Sequence, residues 1–109
     1  MILVSKNPPH KWHFFFAEAA YLTLRKMQRG HRMAVFRHLR LLVNADAPYE
    51  LPFVQALQGK EYEHVRKFRV GDYRILFTLD THSITHNKFT YKGTIIILSI
   101  GQRKDIYRP

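Results

Sequence analysis

Phe68-Arg69-Val70-Gly71-Asp72-Tyr73-Arg74-Ile75-Leu76-Phe77 is the stretch from which the rest of the chain can be read. Apolar residues alternate on both sides of Gly71-Asp72, and a two-residue loop of this kind joins the strands of tight β-hairpins. The pattern predicts strands over Tyr62 to Val70 and Tyr73 to Leu79. In that hairpin Val70 faces Tyr73, Arg69 faces Arg74, Phe68 faces Ile75 and Lys67 faces Leu76. Phe68, Val70, Tyr73, Ile75 and Phe77 then share the face on which the rest of the protein packs. Lys67, Arg69 and Arg74 share the other, which is left to solvent or to a ligand. Like charges directly across a strand pair repel. Apposed Arg69 and Arg74 therefore mark either a solvated face relieved by Asp80 or Glu63, or a site that holds an anion.

Downstream of the hairpin, Asp80 to Lys92 reads as a polar loop. Thr94 to Ile100 follows, with Ile95 and Ile97 on one face against Ile96, Leu98 and Ile100 on the other, as in an interior strand. The tail Gly101-Gln102-Arg103-Lys104-Asp105-Ile106-Tyr107-Arg108-Pro109 adds three cations and a phenol directly after that strand. It is either a solubilising terminus or a set of groups placed at a sheet end.

Upstream, residues 44 to 60 form a connector with Pro48, Pro52 and Gly59, and a short helical turn is expected over Phe53 to Leu57. Phe36, Leu39 and Val43, with Val35 and Leu42 beside them, mark a helix that ends before Ala47-Pro48, because the residue before proline avoids the α region. Ala17, Ala20, Tyr21, Leu24 and Met27 form one stripe of an earlier helix, expected to break at Gly30. The aromatic run Lys11 to Phe16 reads as the first strand, with residues 1 to 9 as an extension. The expected fold class is α+β: a small antiparallel sheet with an N-terminal two-helix hairpin packed on one face. Residues 1 to 109 are read as a single domain.

Composition agrees with a folded basic domain. Lys and Arg number 18 against 8 Asp and Glu, a net charge of +10 that a polyanionic partner would relieve. At 46% hydrophobic and 14% aromatic, the chain is too apolar for a disordered basic tail. Eight of the cations (Lys6, Lys11, Arg25, Lys26, Arg29, Arg32, Arg37 and Arg40) fall in residues 1 to 44 beside a single acid, Glu18. The chain has no cysteine, so disulfides, thiolate chemistry and Cys-bearing zinc sites are excluded and a reducing cytoplasm is the expected location. Met1-Ile2-Leu3-Val4 is too short for a signal sequence, and no stretch has the length of a membrane span.

The histidines point to structure more than chemistry. His82 and His86 are four apart but lack a third ligand, so they read as solvent-exposed and no metal is expected. By alternation His64 falls on the core-side face of its strand. His31 and His38 extend the basic helix surface. The segment around Arg29-Gly30-His31 has the outline of a helix-turn-helix without a polar reading face, so DNA reading is not expected of it.

The hairpin Phe68 to Phe77, together with Ile97-Leu98-Ser99-Ile100-Gly101-Gln102-Arg103-Lys104-Asp105-Ile106-Tyr107, resembles the RelE/ParE superfamily of toxins from type II toxin-antitoxin modules. The resemblance implies a fold similar to small microbial RNases, and in the RelE-like branch a ribosome-dependent endoribonuclease that cleaves mRNA through its own 2′-hydroxyl, without metal or cofactor. It places Arg74 and Arg103 on the charged phosphate of the transition state, Tyr107 as the group handling the 2′-hydroxyl proton, and Lys67 and Arg69 as the supporting strand cations. Lys60, Lys104 and Arg108 are the expected RNA contacts. A cognate small antitoxin, the ribosome and mRNA are the implied partners. The family's Leu-Arg-Gly turn is here Leu57-Gln58-Gly59, so Gln58 does not supply that charge. Two alternatives stay open: a ParE-like toxin that inhibits DNA gyrase, and a degenerate scaffold that binds an antitoxin.

Overall fold

The computed structural model describes residues 10–102, in the order β1 (His13–Phe16), α1 (Glu18–Lys26), α2 (Arg29–Asn44), β2 (Gln55–Ala56), β3 (Val65–Val70), β4 (Tyr73–Asp80), β5 (Ile84–His86), β6 (Phe89–Tyr91) and β7 (Thr94–Gln102). The hairpin forms in the expected register, with Arg69 opposite Arg74 and Phe68 opposite Ile75. Gly71 sits at φ +57°, which meets the demand of a type II′ turn for positive φ at its first loop position. The main sheet has the order β1-β7-β4-β3-β2, so β7 is interior as its apolar composition requires. Strand β1 runs parallel to β7 at one edge, and the other pairings are antiparallel. The architecture is the expected α+β class.

Both helices cover one face. Ala20, Leu24 and Met27, then Val35, Leu39, Leu42 and Val43, meet Phe68, Val70, Ile75 and Phe77 of the hairpin and Ile95, Ile97 and Ile100 of β7. Burial of each large side chain here contributes about 1.5–3 kcal/mol. Trp12 closes the core at its base: its indole N–H donates to the Ala45 carbonyl (2.8 Å), and its ring lies against Gly93. Lys11 pairs with Asp46 at 2.6 Å beside it.

The structure corrects several expectations. The first helix ends at Lys26, not at Gly30, because buried Met27 and Gln28 adopt extended geometry and turn the chain. Gly30 instead lies in the first turn of α2, where backbone N–H groups lack helical partners anyway. Tyr21 is half exposed, since short α1 buries only a narrow stripe. No helical turn forms over Phe53 to Leu57: a 3-10 turn occupies Pro48–Glu50, and Gln55–Ala56 pair as strand β2 with Arg66 and Lys67. Strand β3 begins at Val65 rather than Tyr62, and Lys60–Tyr62 form a 3-10 turn. The ladder stops there because the His64 carbonyl accepts hydroxyls from Tyr49 and, at 2.7 Å, Thr78. His64 is exposed and points to Glu63 (3.2 Å) rather than into the core. His38 is half-buried, stacked on Phe68 with centroids 5.3 Å apart, instead of extending the basic surface.

The polar loop 80–92 contains the second hairpin, β5–β6, whose turn residues Asn87 and Lys88 both have positive φ, the type I′ requirement. Strand β7 carries a bulge: Leu76 pairs with Ser99 but Phe77 with Ile97, leaving Leu98 as the extra residue. The bulge changes the parity, so Ile100 joins Ile95 and Ile97 on the core face instead of opposing them.

Candidate functional site

The face opposite the helices is assembled by β3, β4 and β7. The hairpin register puts Lys67, Arg69 and Arg74 on it together, as alternation requires. The β7 bulge sets what lies beside them: Ser99 opposite Leu76, and Gly101 opposite Arg74. Without the extra residue, β7 would present Ile100 in this region. Gly101 brings no side chain against the arginine.

Sequence alternation predicts an open face, and here the structure departs from it. Arg69 is exposed and Lys67 half-buried, but Arg74 is only 5% exposed. Its Nη1 is buried and, among the described residues, has no hydrogen-bond partner. A buried guanidinium with an idle donor is costly unless an anion satisfies it. The two acids that could relieve it are engaged elsewhere: Glu63 with His64, and Asp80 with His82 at 2.8 Å. Among the described residues no carboxylate pairs with Arg69 or Arg74. This combination suits recognition of a phosphate, whose oxygens accept from a planar guanidinium in pairs.

Of the remaining candidates, Lys60 is exposed on its 3-10 turn, and Gln58 is exposed just before Gly59. Arg103, Lys104, Tyr107 and Arg108 lie outside the described residues. The last described residue, Gln102, pairs with Tyr73 at the turn end of the hairpin, one position from the Arg74–Gly101 pair.

The other end of this face holds groups that sequence reading missed. His13 stands against His86 of the second hairpin, ring centroids 4.7 Å apart, and against Tyr91 at 5.4 Å. Burial, and secondarily the His86 charge, push the His13 pKa down from its ordinary value, and its Nδ1 is buried with no partner among the described residues. His10 is lowered too, by burial and then by His13. Two strand positions along from His13, Phe15 is 48% exposed while its neighbours Phe14 and Phe16 pack against the core. The strict alternation of a four-residue strand was the available signal, obscured by an aromatic run that reads the same on both faces.

On the helical side, a groove of about 300 Å³ runs between β1 and α2, lined among others by His10, Phe14, Phe36, Leu39 and Arg40. Tyr21, Leu22, Met33 and Leu41 are also exposed on these helices, interspersed with Arg25, Lys26, Arg29 and Arg37. No helix among the described residues is long and apolar enough to cross a membrane.

Two helices laid over a five-stranded sheet with a parallel β1–β7 edge and a central antiparallel hairpin are the fold of RelE-type toxins. Solved structures with this fold include the toxin-antitoxin complex RelBE2 of Mycobacterium tuberculosis, at a TM-score of 0.59 and 20% identity over 85% of this chain and 99% of that one. The archaeal RelE-RelB complex of Pyrococcus horikoshii matches at 0.59 and 19% identity, over 85% and 96%. YafQ of E. coli matches at 0.56 and 13% identity, over 89% and 99%. No protein-family model and no curated protein matches the sequence.

Proposed function

We propose that this protein is the toxin of a type II toxin-antitoxin module and acts as a ribosome-dependent mRNA endoribonuclease. The observation that carries the reading is Arg74, a buried guanidinium with a donor unpaired among the described residues, set beside Arg69 and Lys67 on the sheet face of a RelE-type fold. In this mechanism the 2′-oxygen of one nucleotide forms a bond to the adjacent phosphorus, the bond from phosphorus to the 5′-oxygen breaks, and a 2′,3′-cyclic phosphate remains. Tyr107, acting as the general base, accepts the 2′-hydroxyl proton. Charge gathers on the nonbridging oxygens, where Arg74 and Arg103 donate; water protonates the departing 5′-oxygen. Lys67 and Arg69 raise the positive potential on the same face, and Lys60, Lys104 and Arg108 hold flanking phosphates.

The cytoplasmic partner that silences it is a small antitoxin with acidic and apolar residues. The basic, partly apolar outer surface of α1 and α2 and the groove along β1 offer it a seat. RelBE2 is itself a toxin-antitoxin complex, and the archaeal RelE is likewise seen bound to RelB.

The test is brief induction followed by primer extension on a translated message, run beside a gyrase supercoiling assay. New 5′ ends inside codons that vanish in Arg74→Met support the reading. Gyrase inhibition with intact messages replaces it with the ParE-like alternative, and neither effect leaves the antitoxin-binding scaffold.

A further inference from the structure

The face that carries Arg74 continues well past its cations. Thr78 of β4 stands opposite Ile96 of β7, and Ile96 stands opposite Phe15 of β1, so these three form one row across the sheet. Four positions along β4 and two strand spacings separate Phe15 from Arg74, which is a distance of about 16 Å. Leu76 and Thr78 floor the interval, both half-buried. Beyond Phe15, His13 and His86 stand together and close that end.

Phe15 is unusual among the aromatic residues of this strand. Phe14 and Phe16 meet each other edge-on at 6.3 Å and pack inward, whereas Phe15 projects to the opposite face and meets no other ring among the described residues. A half-exposed phenyl ring on a sheet whose other half holds Lys67, Arg69 and Arg74 combines the two elements of a single-strand binding surface: cations for the backbone and a flat apolar ring for a base.

We infer that Phe15 is a base-stacking subsite for single-stranded RNA, separated from the phosphate held at Arg74 by about three to five nucleotides according to how far the strand extends. The inference rests on the endoribonuclease reading and deepens it: the substrate lies diagonally across the open face, from the hairpin turn toward β1. Any base offers a π-face, so the subsite contributes affinity and register more than sequence choice. His13 and His86 limit how far the strand extends in that direction.

The experiment uses the full chain and fluorescent oligouridylates with 2′-O-methyl riboses, which cannot attack their own phosphates. Affinities are read by anisotropy for a trinucleotide and an octanucleotide. Phe15→Ala is expected to weaken octanucleotide binding by about 5- to 150-fold and to leave the trinucleotide unchanged. Phe15→Tyr keeps the ring and is expected to bind as the native protein does. Phe15→Leu preserves apolar bulk but not the π-face, and guards against a folding artefact in the alanine variant; it is expected to lose affinity for the octanucleotide alone. Equal octanucleotide affinity in native, Ala and Leu proteins overturns the subsite, as does an equal loss on both lengths. If the native protein cleaves translated mRNA yet shows no length-dependent Phe15 effect, the subsite fails and the nuclease reading stands. If the native protein binds neither oligonucleotide, the subsite also fails.

Discussion

Arg69 and Arg74 are direct cross-strand partners, yet one is exposed and the other is 5% exposed. Their separation in environment makes Arg74, among the described residues, the one whose charge has the least water to support it. Arg74→Met keeps the bulk of the side chain and removes a charge that no carboxylate among the described residues pairs. Growth inhibition is expected to disappear, while stability stays level or rises by about 1 kcal/mol, as removal of an uncompensated buried charge allows. Urea unfolding beside a toxicity assay checks both, and a large loss of stability would make Arg74 a structural residue.

Tyr107→Phe separates proton transfer from RNA binding. Single-turnover cleavage on programmed ribosomes is expected to fall by ~10²- to 10⁴-fold, the usual contribution of a general base. Ribosome binding is expected to persist. Undiminished cleavage would move the proton to another group, with Lys67 the first to examine.

Gly93 has no room for a side chain. A Cβ there would stand 2.0 Å from the Asp80 carbonyl oxygen and 2.8 Å from the Trp12 ring. Gly93→Ala is expected to cost about 3 kcal/mol and to loosen β1, because Trp12 must move off the strand junction. Chemical denaturation with Trp12 fluorescence reads both effects; a native-like midpoint would show that Asp80 and Trp12 yield freely.

Stability is expected to decline on mild acidification. The pKa values of His10 and His13 lie below the ordinary 6.5 in the folded protein, so the unfolded chain takes up protons first as pH falls. Their contribution is complete above 6.5 and is lost as pH descends through the folded values. Asp46, held low by the Lys11 hydrogen bond, and Asp80, held low by His82, act only further down, below 3.8. Thermal melts of His13→Gln across the mildly acidic range should show a flatter slope than the native protein. An unchanged slope would remove His13 from the account.

The partner complex is expected to weaken with salt without dissociating, since rim cations are screened and the apolar contacts are not. Joint replacement of Arg25, Lys26, Arg29, Arg37 and Arg40 by glutamine should reduce both affinity and its salt dependence. Calorimetry over a salt series with the acidic partner checks it, and an unaltered affinity would place the interface elsewhere.

The sequence by itself determined the elements whose signals are local. The Gly71-Asp72 loop and the alternation around it gave the hairpin register, the face shared by Lys67, Arg69 and Arg74, and the side on which the helices pack. Helical spacing located α1 and α2, and Ala47-Pro48 set the end of α2. Tertiary structure decided what depends on contacts between distant segments. The Leu98 bulge appears only in the pairing of β7 with β4, and it turns Ile100 inward and brings Gly101 opposite Arg74. Arg74 is 5% exposed on a face that alternation leaves open, and no alternation pattern contains that burial. The start of β3 was set by Tyr49 and Thr78 hydroxyls reaching the His64 carbonyl from 15 and 14 residues away. Phe15 was hidden for the opposite reason: within a run of phenylalanines, only the parallel pairing with β7 settles which ring meets the core and which meets solvent.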